Sequence, residues 1–163
     1  PYQMTGIGRP HYAITPDGLR AAALLDTIAG VAGGTAPIEY YDLAAGTKLG
    51  EVAQPASPYG YVRGMAFNPD GRSLLFTKGD SLLYRWDIQA NSMTVAATFP
   101  RQSAGWTARL SPDGAVFATP MWPYRPAFLI RLNTRAVLTP PDWETNSSTP
   151  GGLVAFEFLP DFR

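Results

Sequence analysis

Residues able to do chemistry are few in this sequence and widely scattered. The chain has one histidine, His11, and no cysteine. Thiolate catalysis, disulfide bonding and cysteine-based metal sites are therefore excluded. A Ser-His-Asp arrangement would have to use His11, yet no Gly-x-Ser-x-Gly elbow accompanies it. The four glutamates, Glu39, Glu51, Glu144 and Glu157, fall in different segments, so paired-carboxylate chemistry is poorly supported. Gly30, Gly33 and Gly34 precede no Gly-Lys-Ser/Thr, and Gly6-Ile7-Gly8 is no nucleotide fingerprint. No Asp-x-Asp-x-Asp spacing suggests calcium. Asn146-Ser147-Ser148 matches a glycosylation sequon, a three-residue match that matters only in a eukaryotic secretory context. The expectation is no catalysis by these residues, no cofactor and no metal.

Composition agrees with a folded β-protein. The 163 residues include 16 Gly and 16 Pro, which suits many tight turns. Thirteen basic residues balance 13 acidic ones, so nothing electrostatic calls for nucleic acid or an anionic membrane. No stretch approaches the ~20 consecutive apolar residues of a membrane helix, and Pro1 to Pro10 carries no basic region followed by an apolar run. The lack of cysteine leaves the compartment open, with the cytoplasm slightly favoured over a periplasmic or extracellular place.

The strongest signal is a repeat. Pro16-Asp17-Gly18, Pro69-Asp70-Gly71 and Pro112-Asp113-Gly114 recur, with a degraded copy at Pro160-Asp161-Phe162, spaced 53, 43 and 48 residues apart. Such spacing brackets a four-stranded propeller blade. An alternating apolar stretch precedes each copy: Tyr12 and Ile14, Met65 and Phe67, Ala108 and Leu110, Phe156 and Phe158. Period-two alternation predicts a strand with one packed face. A second apolar stretch follows, so the tripeptide joins two strands through a type I turn, with Pro at the second position and Gly at the fourth. Thr15, Asn68 and Ser111 stand just before Pro, where a small polar side chain can bond the turn's amides. A third strand ends in Tyr41-Asp42, Trp86-Asp87 and Leu132-Asn133, which read as equivalent positions. That alignment also pairs Arg85 with Arg131 and suggests a structural role for both. A short fourth strand closes each unit. Residues 19–32 favour a helix by their Ala and Leu content, but the repeat register predicts a strand and then a loop.

The stretch 62–88, with Phe67-Asn68-Pro69-Asp70-Gly71-Arg72 and Arg85-Trp86-Asp87, resembles a WD repeat. The copies around it resemble divergent bacterial WD-like blades. The resemblance implies an all-β fold of about three four-stranded antiparallel blades plus the first strand of a fourth. It also implies a rigid platform for protein or peptide recognition. One departure stands out: the Gly-His pair usual before the first strand is missing. The family's buried network from that His through a hydroxyl to Asp and Trp is therefore incomplete. Asp87, Trp86 and Thr77 would keep part of it.

The expected organisation is one partial propeller domain over 1–163, with blades at about 10–53, 61–100 and 105–140 and a further blade starting at 152–163. Three blades alone would leave apolar faces and sheet edges bare. Further blades in a longer molecule, or self-association through open edges, are expected to cover them. The runner-up function is a propeller segment of a larger bacterial enzyme, a peptidase or oxidoreductase, with its catalytic residues elsewhere.

The best functional candidates are aromatic and Arg residues in connections: Tyr59, Tyr61, Arg101, Trp106, Trp122, Tyr124, Arg125 and Trp143. The connections after the second and fourth strands of a blade emerge on one face. Such side chains dominate binding hot spots.

Overall fold

The turn chemistry read from the sequence builds three near-identical sheets. The structure, a computed structural model, describes residues 11–24, 36–56, 62–78, 80–99, 108–121, 125–138 and 158. The first sheet contains β1 (His11–Ile14), β2 (Arg20–Leu24), β3 (Ile38–Asp42) and β4 (Thr47–Val52). The second contains β5 (Gly64–Phe67), β6 (Ser73–Thr77), β7 (Leu82–Asp87) and β8 (Ser92–Thr98). The third contains β9 (Arg109–Leu110), β10 (Val116–Met121), β11 (Arg125–Arg131) and β12 (Ala136–Val137). Each is an antiparallel meander in sequence order, and no helix occurs among the described residues. The first part of the Ala-rich segment pairs as β2, with Ala22 opposite Ala13 and Tyr40, and its remainder, 25–32, lies outside the described residues. Tertiary pairing overrides its helical propensity here.

The first strands lie side by side, β1 next to β5 and β5 next to β9. The sheets therefore meet along their first strands, as propeller blades do. Between the first two blades, Ala22, Leu24, Ile38 and Tyr40 pack against Met65, Phe67, Leu74, Phe76, Tyr84 and Trp86. Tyr40 sits edge-on to Trp86, with ring centroids 6.1 Å apart, a favoured aromatic geometry. Between the second and third, Leu75, Leu83, Ala97 and Phe99 meet Phe117, Phe128 and Ile130. Each such large side chain contributes about 1.5–3 kcal/mol on burial.

The central strand β6 is buried at every position, since both its faces meet a neighbouring blade. One reading of the sequence changes, that of β1. In β1 the alternation runs opposite to the expected packing. Tyr12 and Ile14 are 67 % and 50 % exposed while Ala13 is buried. Their counterparts Met65 and Phe67, set by pairing to Phe76 and Leu74, are 5 % and 6 % exposed. The difference is the neighbour: the first blade covers Met65 and Phe67, and no described element covers Tyr12 and Ile14.

Candidate functional site

The three Pro-Asp-Gly corners have one geometry. The amides of Gly18, Gly71 and Gly114 each donate to the carbonyl of Thr15, Asn68 and Ser111 at 2.8 Å. Each glycine has positive φ, 72°, 67° and 74°. Each Asp Oδ1 accepts the amide two residues on, from Leu19 at 3.0 Å, Arg72 at 2.9 Å and Ala115 at 2.9 Å. The Thr15 and Ser111 hydroxyls accept from the amides of Arg20 and Val116 and donate to Asp17 and Asp113. These bonds hold all three carboxyls below the ordinary carboxylate range. For Asp17 and Asp113 the hydroxyl contributes most, and for Asp70 the Arg72 amide does. The corner acids are thus turn formers kept ionised, unsuited to donating a proton near neutrality.

Strand register corrects the proposed equivalences. Arg20 pairs with Asp42, Ser73 with Asp87, and Val116 with Arg131. The amides of Leu43, Ile88 and Leu132 then bond back to residues 19, 72 and 115. Hence Leu132 matches Ile88 and Arg131 matches Asp87. Leu132-Asn133 is two residues out of the expected frame, and Arg85 and Arg131 are not equivalent. A two-residue slip keeps every side chain on its face, so the apolar pattern alone could not expose it.

The partial family network is also absent. The Trp86 indole donates to Asn91 Oδ1 at 3.1 Å, and Asp87 accepts the Ala90 amide of its own turn. Thr77 pairs with Leu83, three residues along β6 from the partner of Trp86 and on the opposite face. Its hydroxyl has no partner among the described residues.

Some contacts were not legible from sequence. Glu39 and Glu51 are cross-strand partners bridged by Lys48, which lies 2.8 Å from Glu39. The Tyr41 hydroxyl donates to Glu39 at 2.5 Å. Lys48 first, then Tyr41, lowers the pKa of Glu39, which therefore offers no neutral acid. Lys78 is buried, and its Nζ donates to the Pro55 carbonyl at 2.7 Å. It thereby ties the segment after β4 to the second blade, and burial lowers its pKa. Tyr84 donates to Asp80 at 2.7 Å. Among the described residues no group of three or more His, Asp or Glu could hold a metal ion.

Of the sequence candidates, Tyr59, Tyr61, Arg101, Trp106, Trp122, Tyr124 and Trp143 lie outside the described residues. Arg125 was placed in a connection, but its backbone opens β11 opposite Met121. The link between β10 and β11 is therefore only residues 122–124.

Two grooves recur at the corner end of the seams. The first, about 370 Å³, lies between the first two blades and is lined by Asp17, Arg20, Tyr40, Asp70 and Arg72 among others. The second, about 450 Å³, lies between the second and third blades and includes Ser73, Arg85, Thr94, Asn133 and Arg135. Sequence reasoning missed Ser73 and Arg135, and it set Arg85 aside through the misaligned repeat.

Three meanders joined along their first strands, with one corner geometry repeated three times, define an all-β array of propeller blades. No family model matches the chain. Over 81 residues it is 32 % identical to the U3 small nucleolar RNA-associated protein 18 homolog of Arabidopsis thaliana, a match covering 50 % of this chain and 15 % of that relative.

Proposed function

We propose that the chain is a WD-like stretch of β-propeller acting as a non-catalytic platform for protein or peptide partners. The observation that carries this reading is the division of labour in each blade. The repeated acids are engaged in their turns, the apolar side chains fill the seams, and the connections and grooves are left to vary. The domain reading goes with it: one propeller unit over 1–163, with a further blade beginning at 152–163. The partner-facing surface is the loop face carrying Tyr59, Tyr61, Arg101, Trp106, Trp122, Tyr124 and Trp143, with Arg125 at its edge. The relative's name places it with a small nucleolar RNA. The zero net charge here favours a protein-mediated place in any such assembly over direct RNA contact.

The test is affinity capture with the chain and its Trp122→Ala/Tyr124→Ala variant, with and without ribonuclease. The reading expects bound polypeptides that resist ribonuclease and are lost from the variant at unchanged melting temperature. A large drop in melting temperature would assign those rings to packing. Ribonuclease-sensitive capture would favour direct RNA binding.

A further inference from the structure

We propose that the groove between the second and third blades binds a peptide through one anionic side chain, a carboxylate or a phosphate monoester. The peptide part rests on the scaffold reading above; the anion part stands on the groove itself. Arg85 and Arg135 both line it, and no Asp or Glu does among the described residues. Guanidinium stays charged at every physiological pH, and its fork of donors matches an oxyanion bidentately. Among the described residues neither arginine has a hydrogen-bond or ion-pair partner. The charge of Arg85 reaches Asp70, but that carboxylate already accepts the Arg72 amide. Ser73 lines the same groove; it is 1 % exposed, and its hydroxyl has no partner among the described residues. A buried donor without an acceptor is uncommon in a native fold. An oxyanion in the groove would supply that acceptor and give both arginines an ion-pair partner.

The first groove is an internal control. By strand register Arg20 stands where Ser73 does, and Tyr40 where Arg85 does. There the guanidinium donates to the Tyr40 hydroxyl at 3.3 Å, and Asp17 and Asp70 line the same groove. The first groove sets two carboxylates, Asp17 and Asp70, beside its two arginines, whereas the described lining of the second holds two arginines and no carboxylate. A volume of about 450 Å³ falls within the range of small-ligand sites and accepts an acidic side chain with its flanking backbone.

The experiment follows the Arg side-chain Nε resonances of the ¹⁵N-labelled 163-residue chain. The probes are inorganic phosphate, degenerate peptide pools with a central phosphoserine, glutamate or serine, and an oligouridylate. Saturable shifts at Arg85 and Arg135 are expected with phosphate and both charged pools, with the serine pool about tenfold weaker. Arg85→Gln and Arg135→Asn should each weaken binding about tenfold, since each removes one charge-assisted contact. Asn also tolerates the positive φ of 57° at position 135. Arg85→Lys should retain part of the affinity, Arg20→Gln all of it, and unchanged amide spectra verify folding. Trp122→Ala/Tyr124→Ala should leave phosphate binding intact, which separates this site from the loop face. Absent or non-saturable shifts, or shifts that survive both arginine variants, overturn the proposal. So does phosphate binding without preference for the charged pools, or oligouridylate displacing the charged peptides.

Discussion

Gly114 of the third blade's corner sits against Asn68 of the second. A Cβ built on Gly114 would lie 3.0 Å from Asn68 Oδ1 and 3.0 Å from Pro69 Cδ. Gly71 stands in the same relation to Thr15, the counterpart of Asn68, with the Thr15 Cγ2 at 3.7 Å. In the second and third blades the corner glycine therefore faces the turn-opening residue of the blade before it.

Gly114→Ala should destabilise more than Gly18→Ala. Both have positive φ, so each costs about 1 kcal/mol in backbone strain. Gly18 has nothing within 4 Å of the new methyl, whereas Gly114 meets backbone-anchored proline. Overpacking there adds about 1–3 kcal/mol. Urea unfolding of Gly18→Ala, Gly71→Ala and Gly114→Ala should rank the last clearly lowest in stability.

Acid should unfold the chain through its corners. Asp17, Asp70 and Asp113 have lowered pKa values in the folded state, and Glu39 shares that direction. The unfolded chain therefore takes up protons first as pH falls through about 4. These groups stabilise the fold fully above the unfolded values and lose that contribution as pH drops through the lower folded ones. Thermal melts should be flat in this respect above about pH 5 and fall below pH 4. The triple variant Asp17→Asn/Asp70→Asn/Asp113→Asn should flatten the fall.

Equivalent positions should respond unequally at the blade faces. Met65→Ser removes a side chain buried against the first blade and should cost about 2–4 kcal/mol. Tyr12→Ser, at the matching position on the exposed face, should cost under about 1 kcal/mol. Equal losses, read by chemical denaturation, would mean that Tyr12 is covered.

Asn91 carries both a positive φ of 46° and the acceptor for Trp86. Asn91→Gly keeps the backbone and loses one hydrogen bond, about 1 kcal/mol. Asn91→Ala loses both and should cost about 1 kcal/mol more. Since the chain holds four tryptophans, the indole N–H resonance assigned to Trp86 would report the change directly.

The corners were legible in the sequence because turn chemistry is local. Pro, Asp and Gly at fixed offsets, preceded by Thr15, Asn68 or Ser111, determine both the hydrogen bonds and the chain reversal. The four-strand order followed from spacing. The register of β11 was not legible, because a slip of two residues preserves the face of Phe128 and Ile130. Equivalences set by that register were lost with it: the third-blade counterpart of Arg85 is Leu129, not Arg131. The groove shared by Ser73 and Arg135 spans two blades. Glu39 and Glu51 likewise meet only once β3 and β4 are paired, a pairing that includes a bulge between Tyr40 and Tyr41.

One packing step repeats from each blade to the next, the corner glycine against the preceding turn-opening residue. Nuclear Overhauser contacts in the 163-residue chain test it directly. The Thr15 methyl should contact the Gly71 α-protons, and the Asn68 side-chain amide should contact those of Gly114. Finding only one of these contacts, or finding Thr15 against Gly114, would mean that the sheets are not successive blades.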